Sequence, residues 1–214
     1  FYPQCTFSNG NNTILTGSSL AAPVLSTLGM ESGKWYWETK CGARGGSNEF
    51  IIGVTHTQPT GAGYELGNWV NGWGYYSLAG NLRNDDGDTS YGDTYDTGDI
   101  IGVALDLTNM NLYFAKNNVW QDSGVPTSGA TGTGAIDITL GNGGASAYEL
   151  DAWFAGQSYW TSSTATFNLN FGNGYFGTTA VTSAEADGAG IGAFEYAPPT
   201  GYYALCTNNL GSES

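Results

Sequence analysis

Acidic side chains dominate the groups in this chain that could do chemistry. Asp85, Asp86, Asp88, Asp93, Asp96 and Asp99 fall within fifteen positions. Hard carboxylate oxygens in a glycine-containing loop are the ligands calcium takes. Their spacing matches neither the EF-hand loop nor the glycine-rich nonapeptide repeat, so turn-forming roles fit better and no metal or other cofactor is expected. Glu149 and Asp151 in AYELDAWF could supply the acid and base of a glycoside hydrolase, but no third acid follows two or three places on. His56 is the only histidine, so a Ser-His-Asp relay would have to use it. It follows an apolar run, no G-x-S-x-G elbow is present, and a loop histidine making one hydrogen bond is the better reading. The chain reads as a non-enzyme.

Binding groups are clearer. Tyr64, Trp69, Trp73, Tyr75 and Tyr76 are interleaved with Gly61, Gly63, Gly67, Gly72 and Gly74. Flat aromatic faces beside Asn and Asp suit sugar stacking or a peptide groove. Trp73 and Tyr75 alternate and could equally pack inside a sandwich. About half of these aromatics are expected inside, with Tyr64 and Trp69 the exposed ones. Arg83 beside Asp85 and Asp86 is either a surface ion pair of little energetic weight or one rim of the site. These eight residues are the ligand-binding candidates, and loops 60–73 and 83–97 are where contact is expected.

The composition says what kind of scaffold holds them. The 214 residues include 34 Gly, 7 Trp and 14 Tyr. Much Gly and aromatic content with few helix formers means strands joined by tight turns. Five basic against nineteen acidic residues give a net charge of −14, which argues against a nucleic-acid partner and against an anionic membrane surface. No apolar run approaches the roughly 18 residues of a membrane span, so no membrane insertion is expected, and no signal peptide is visible. The chain opens on Phe1, which reads as a processed or excised piece. Cys5, Cys41 and Cys206 form no C-x-x-C pair and no zinc spacing. A Cys5–Cys206 bridge stays open, although buried free thiols fit better.

Strand candidates follow the alternation of apolar residues. Phe7 to Leu15 holds two short strands around an Asn/Gly turn, and Leu20 to Leu28 reads as an edge. GKWYWETKC from Gly33 to Cys41 puts Trp35, Trp37, Thr39 and Cys41 on one face and Tyr36, Glu38 and Lys40 on the other. Phe50 to Thr55 and Gly72 to Leu78 are further strands. Arg83 to Gly98 reads as a long loop with one short strand near Ser90. From Gly98 to Gly124 comes a meander whose first strand is buried on both faces. Ser123 to Thr133 is loop, Ile136, Ile138 and Leu140 mark a half-exposed strand, and Phe167, Leu169 and Phe171 mark another. Ala193 to Tyr196 and Tyr202 to Cys206 close the chain as short strands. No amphipathic helix and no repeat is found. The expected fold is all-β, a sandwich of two antiparallel sheets.

Four stretches resemble, in order, the SPRY domain: GKWYWE (Gly33–Glu38), FIIGV (Phe50–Val54), WGYYSLAGNLRND (Trp73–Asp85) and YGDTYDTGDIIGVALDL (Tyr91–Leu107). The resemblance runs from about Phe7 to Gly172. It implies a concanavalin-like jelly roll over residues 1–172, with 173–214 as an extension packing on or beside it. The ending, FNLNFGNGYFGTT and DGAGIGAFEYAPPTGYYALCTNNL, is similar to the tails that follow SPRY domains in bacteriophage structural proteins. KNNVWQDSG is similar to the phage form of the meander. That resemblance implies a virion-surface, tail-fibre-like protein that recognises a host-surface glycan or protein. The alternative is a self-assembling fibre or decoration subunit whose partner is itself or another virion protein, and a glycosidase on a lectin-like sandwich is a distant third.

Overall fold

The computed structural model describes residues 5–17, 23–46, 50–59, 63–141, 147–159 and 164–210. The strands are β1 (Cys5–Ser8), β2 (Thr13–Thr16), β3 (Val24–Leu25), β4 (Lys34–Arg44), β5 (Phe50–Pro59), β6 (Gly72–Tyr76), β7 (Asn81–Asn84), β8 (Gly87–Ser90) and β9 (Ile100–Asp106). They continue as β10 (Asn111–Lys116), β11 (Val119–Trp120), β12 (Ile136–Asp137), β13 (Ala147–Tyr159), β14 (Ala165–Asn170), β15 (Tyr175–Phe176), β16 (Thr179–Ala180) and β17 (Tyr203–Ala204). One sheet runs β1-β2-β14-β4-β9-β10-β11, with β12 on β10 and β17 on β4. The other runs β3-β13-β5-β6-β7-β8. The two pack face to face as the expected sandwich. No helix of the described residues is long and apolar enough to cross a membrane.

The alternation in β4 does what its pattern implies. Trp35, Trp37 and Cys41 join Ile101, Val103 and Leu105 of β9 in the core between the sheets, against Phe50, Ile52, Val54 and Trp153 from the facing sheet. The opposite face of β4 is buried too. Tyr36, Ala104 and Tyr113 form a second apolar cluster with Phe194, Tyr202 and Ala204 of the C-terminal segment. Tyr36 meets Phe194 edge-on at 5.0 Å, and a Cβ on Gly102 would stand 2.8 Å from the Tyr36 hydroxyl. Strand β17 lies parallel to β4, pairing Tyr203 with Trp35 and Ala204 with Tyr36, beyond the Glu38 position where pairing with β14 ends.

Two buried carboxylates hold this cover. Glu38, fully buried, accepts hydrogen bonds from the backbone N–H groups of Glu195 and Tyr196 at 2.9 and 2.8 Å. It also accepts from the Tyr36 hydroxyl and the Asn170 amide, both at 3.2 Å. Asp187 accepts from the backbone of Ala189, Ile191 and Ala204 and from the Asn209 amide. Charge-assisted bonds of this kind are the strong class.

Several elements differ from the sequence reading. The stretch taken as a long loop from Arg83 folds into the β7–β8 hairpin. Asp85 and Asp86 take positive φ of 50° and 58° between Asn84 and Gly87, which pair; short Asx side chains tolerate that left-handed turn. The half-exposed strand at 136–140 shrinks to Ile136–Asp137. Of the closing strands, 193–196 contributes a single bridge, Glu185 to Phe194. Strand β13, thirteen residues long and lying between the edge strand β3 and β5, has no counterpart among the expected strands. The edge near Leu20–Leu28 is β3, while residues 18–22 lie outside the described residues. All three cysteines are free thiols, so Cys5 and Cys206 are not bridged.

Burial pushes the Glu38 carboxyl above its usual range, against four hydrogen bonds that favour its charged form. A carboxyl raised in the folded state stabilises most below its unfolded pKa, and that contribution fades as pH rises through the folded pKa. Glu38→Gln is expected to be less stable than wild type by about 1–3 kcal/mol, because one backbone N–H loses its acceptor. In thermal melts the gap should narrow as pH rises from about 4.5. A gap that widens with pH would show that the hydrogen bonds outweigh desolvation.

Candidate functional site

The eight candidate residues do not converge. Pleating in β6 sends Trp73 and Tyr75 to the inner face and Tyr76 to the outer face. The loop over residues 63–71 folds back on that outer face, where Leu66 and Trp69 pack on Ile51 and Tyr76. Trp69, expected to be exposed, is buried, and its indole N–H donates to Thr55 Oγ1 at 3.0 Å. Tyr64 is 38% exposed. Arg83 is also buried on this side. It lies 3.1 Å from Asp86 and 3.8 Å from both Glu65 and Asp88. The Asn68 amide donates to Asp86 at 2.7 Å and its carbonyl accepts from the Glu65 backbone N–H. This is a clamp fastening the loop to the hairpin, with Asp85 at the hairpin tip. Burial raises the Glu65 carboxyl, and the Arg83 guanidinium opposes that rise.

Inside the sandwich, Tyr75 has no exposed surface, so it cannot touch a ligand directly. Its hydroxyl donates to the Asp93 carbonyl, and its ring packs against Tyr91, Tyr95 and Phe114 at 4.8 to 5.4 Å. The Tyr95 hydroxyl lies 3.0 and 2.6 Å from the carbonyls of Phe50 and Tyr75. Both phenols are pushed well above their ordinary pKa by burial. These aromatics hold residues 91–96 down rather than offering a surface.

Trp73 is different, because it reaches the mouth of the sandwich. The free edge of the hairpin and the edge strand β12 leave a groove of about 400 Å³ between the two sheets. Trp73, Leu82, Asn84, Asp88 and Thr89 line it from one sheet; Ile136 and Asp137 of β12 line it from the other, with Ala135 before β12 and Asp122 in the 3-10 turn Gln121–Ser123, and Tyr91 also lines it. The Trp73 ring stacks at 5.5 Å on Trp153, which backs it from within. The Tyr91 hydroxyl accepts the Phe114 backbone N–H at 3.1 Å, in the stretch of β10 between its pairings with β11 and β12. Asp137 accepts from the Thr139 backbone N–H and hydroxyl, which hold its carboxyl below the usual range.

Three carboxylates line the groove: Asp88 lies 3.8 Å from Arg83, whereas Asp122 and Asp137 have no cation beside them among the described residues. Lys34 pairs with Asp106, Arg44 with Asp96 and Lys116 with Asp99, Lys40 lies over Phe176, and Arg83 serves the clamp. Among the described residues, none of the five cations pairs with Asp122 or Asp137. No cluster of three or more His, Cys, Asp or Glu among the described residues is placed to hold a metal. Asp86, Asp96 and Asp99 each turn to separate partners.

Residues 34–146 match the family model of the SPRY domain. The chain belongs to the SPRY family. The SPRY domain of human HERC1 aligns with a TM-score of 0.55 at 18% identity, covering 77% of this chain and 91% of that one. A further human SPRY domain gives 0.52 at 14% identity, covering 78% and 94%. At such identities the likeness is one of fold. A search of curated protein sequences finds no match. SPRY domains are usually protein-interaction modules and typically not catalysts.

His56, Glu149 and Asp151, the residues with catalytic chemistry, lie on β5 and β13. In this SPRY domain His56 lies on β5, not in a loop. It is stacked edge-on to Trp153 at 5.3 Å, its backbone N–H donates to Asn71, and its Nδ1 has no partner among the described residues. Burial lowers its pKa, with Glu149 and Asp151 opposing. Glu149 and Asp151 are both exposed, and the β13–β5 register breaks between Glu149 and Phe154. Asp122, Ile136 and Asp137 of the groove escaped the sequence reading. Ile136 and Asp137 come from the opposite sheet and Asp122 from the 3-10 turn after β11, and no local pattern ties them to Trp73.

Arg83→Ala is expected to cost about 3 kcal/mol in urea unfolding, since it leaves the Glu65 carboxyl buried without its cation. Adding Glu65→Gln should return part of that loss. Two strictly additive losses would mean that the clamp is not an ion-pair unit.

Proposed function

We propose that this chain is a non-enzymatic recognition domain displayed on the surface of a bacteriophage virion, where it grips a host-surface protein through the groove between β8 and β12. The observation that carries the reading is the groove itself. It joins an apolar floor, with Trp73, Leu82 and Ile136, to the carboxylates of Asp122 and Asp137, which lack a cation of their own. A partner segment bearing Lys or Arg supplies the missing charge while its aliphatic stem covers the floor. The virion context rests on the resemblance of the ending from Asp187 to Leu210 to the C-terminal stretches that follow SPRY domains in bacteriophage structural proteins. Display in many copies makes weak single contacts effective.

Selection of a random peptide library on the purified domain tests the site. Enriched peptides should carry Lys or Arg, and Asp122→Asn with Asp137→Asn should weaken them about tenfold, an effect of order 1.4 kcal/mol. The binding should also fall as salt rises. Peptides without basic residues, or binding indifferent to both substitutions, would sink this use of the groove. Hits on a glycan array in their place would point to a sugar ligand. Labelling of phage particles by an antibody raised against the domain tests the virion context.

One observation favours a second reading, self-assembly. Strand β1 is a free sheet edge, and its hairpin exposes Phe7 and Leu15, at 48% and 43%. Such edges pair between copies unless covered. Mass photometry decides: filaments or rings broken by Phe7→Lys support this reading, and a monomer across the micromolar range removes it.

A further inference from the structure

The sandwich has a second open flank, opposite the groove, between β2 and β3. It holds a larger cavity, about 780 Å³, within the range of small-molecule sites. Its walls are mostly apolar, with Ile14, Leu25, Leu28, Leu169, Phe171 and Leu205 among them, and Asn11, Asn12, Ser26, Thr27, Asn173 and Thr207 also line it. One polar group from β13 enters this setting. Trp153, Ala155 and Tyr159 of β13 all belong to the core, so the pleat aims Gln157 inward with them. Gln157 is 2% exposed and also lines the cavity. Its Nε2 has no hydrogen-bond partner among the described residues. A buried donor without an acceptor is costly, and a ligand that brings an acceptor relieves that cost.

The character of the acceptor follows from charge. No Lys, Arg or His lines the cavity, and the chain carries a net charge of −14, so nothing there offsets the desolvation of an anion. An uncharged oxygen is suited. We propose that this cavity binds a neutral amphiphile, a single alkyl or acyl chain bearing an uncharged carbonyl that accepts a hydrogen bond from Gln157 Nε2. The site is separate from the groove and does not depend on the function proposed for it.

Displacement of the neutral dye N-phenyl-1-naphthylamine from the full chain tests this. Methyl decanoate, decanoate and decane serve as competitors. Saturable dye binding is expected, with methyl decanoate displacing it at least about tenfold better than either other compound, the effect of one good hydrogen bond. Leu28→Trp, which fills the cavity, should abolish dye binding. Gln157→Leu should retain dye binding, melt no lower than wild type, and reduce methyl decanoate to the level of decane. Absence of saturable binding overturns the proposal, as it would if part of this chain already fills the cavity. Unchanged selectivity in Gln157→Leu overturns it too, showing that a water serves the amide. If Leu28→Trp fails to fold, Gln157→Leu carries the decision.

Discussion

A strand buried on both faces needs a cover on each side, and here the cover over the outer face of β4 is pinned by Glu38. Strand β4 alternates large residues on both of its faces, so leaving Tyr36 and its neighbours Ala104 and Tyr113 in water would forfeit an apolar layer as real as the one between the sheets. The C-terminal segment supplies the missing layer with Phe194, Tyr202 and Ala204. It has almost no regular structure to satisfy its own backbone. Glu38 accepts two of its N–H groups and Asp187 three more. Acidic side chains here replace the hydrogen bonds a sheet would have provided.

The same economy of positive charge shapes the surface. With five cations against nineteen acids, every cation is committed to a position that fastens two elements: Lys34 to the end of β9, Arg44 and Lys116 to the turn before β9, Arg83 to the hairpin, Lys40 over the β15 ring. Of the remaining acids, Glu38 and Asp187 are buried on backbone donors. The two open flanks differ in chemistry. The β8–β12 side carries two carboxylates, Asp122 and Asp137, without a cation among the described residues. The β2–β3 side is mostly apolar and holds the buried Gln157 amide.

The strands whose faces differ in character were legible in the sequence. Alternation in GKWYWETKC and the unbroken apolar run of β9 identified the central pair, and the family resemblance placed them. Strand β13 was not, because two acids in AYELDAWF drew attention away from the Trp153, Ala155, Tyr159 period that follows them. The β7–β8 hairpin was missed because Asn-Asp-Asp-Gly reads as generic polar loop until two residues with positive φ are seen to close it. Trp69 misled for a physical reason. A tryptophan in a glycine-rich loop looks exposed when the loop is assumed to project, whereas this loop folds back onto its own sheet. The groove combines residues from two sheets, a relation fixed by topology and absent from any local window.

The pairing of β17 with β4 has a consequence for how the chain is made. Residues 203–204 lie beside residues 35–36, and β2 near the start pairs with β14 near the end. On the ribosome, β4 waits until residues 203–204 have been made for its last neighbour. Contacts so distant in sequence carry a large loop-closure cost and slow the search. Meanwhile the Tyr36 face stays open to other nascent chains. Self-repulsion at a net charge of −14 opposes contact between such unfinished copies.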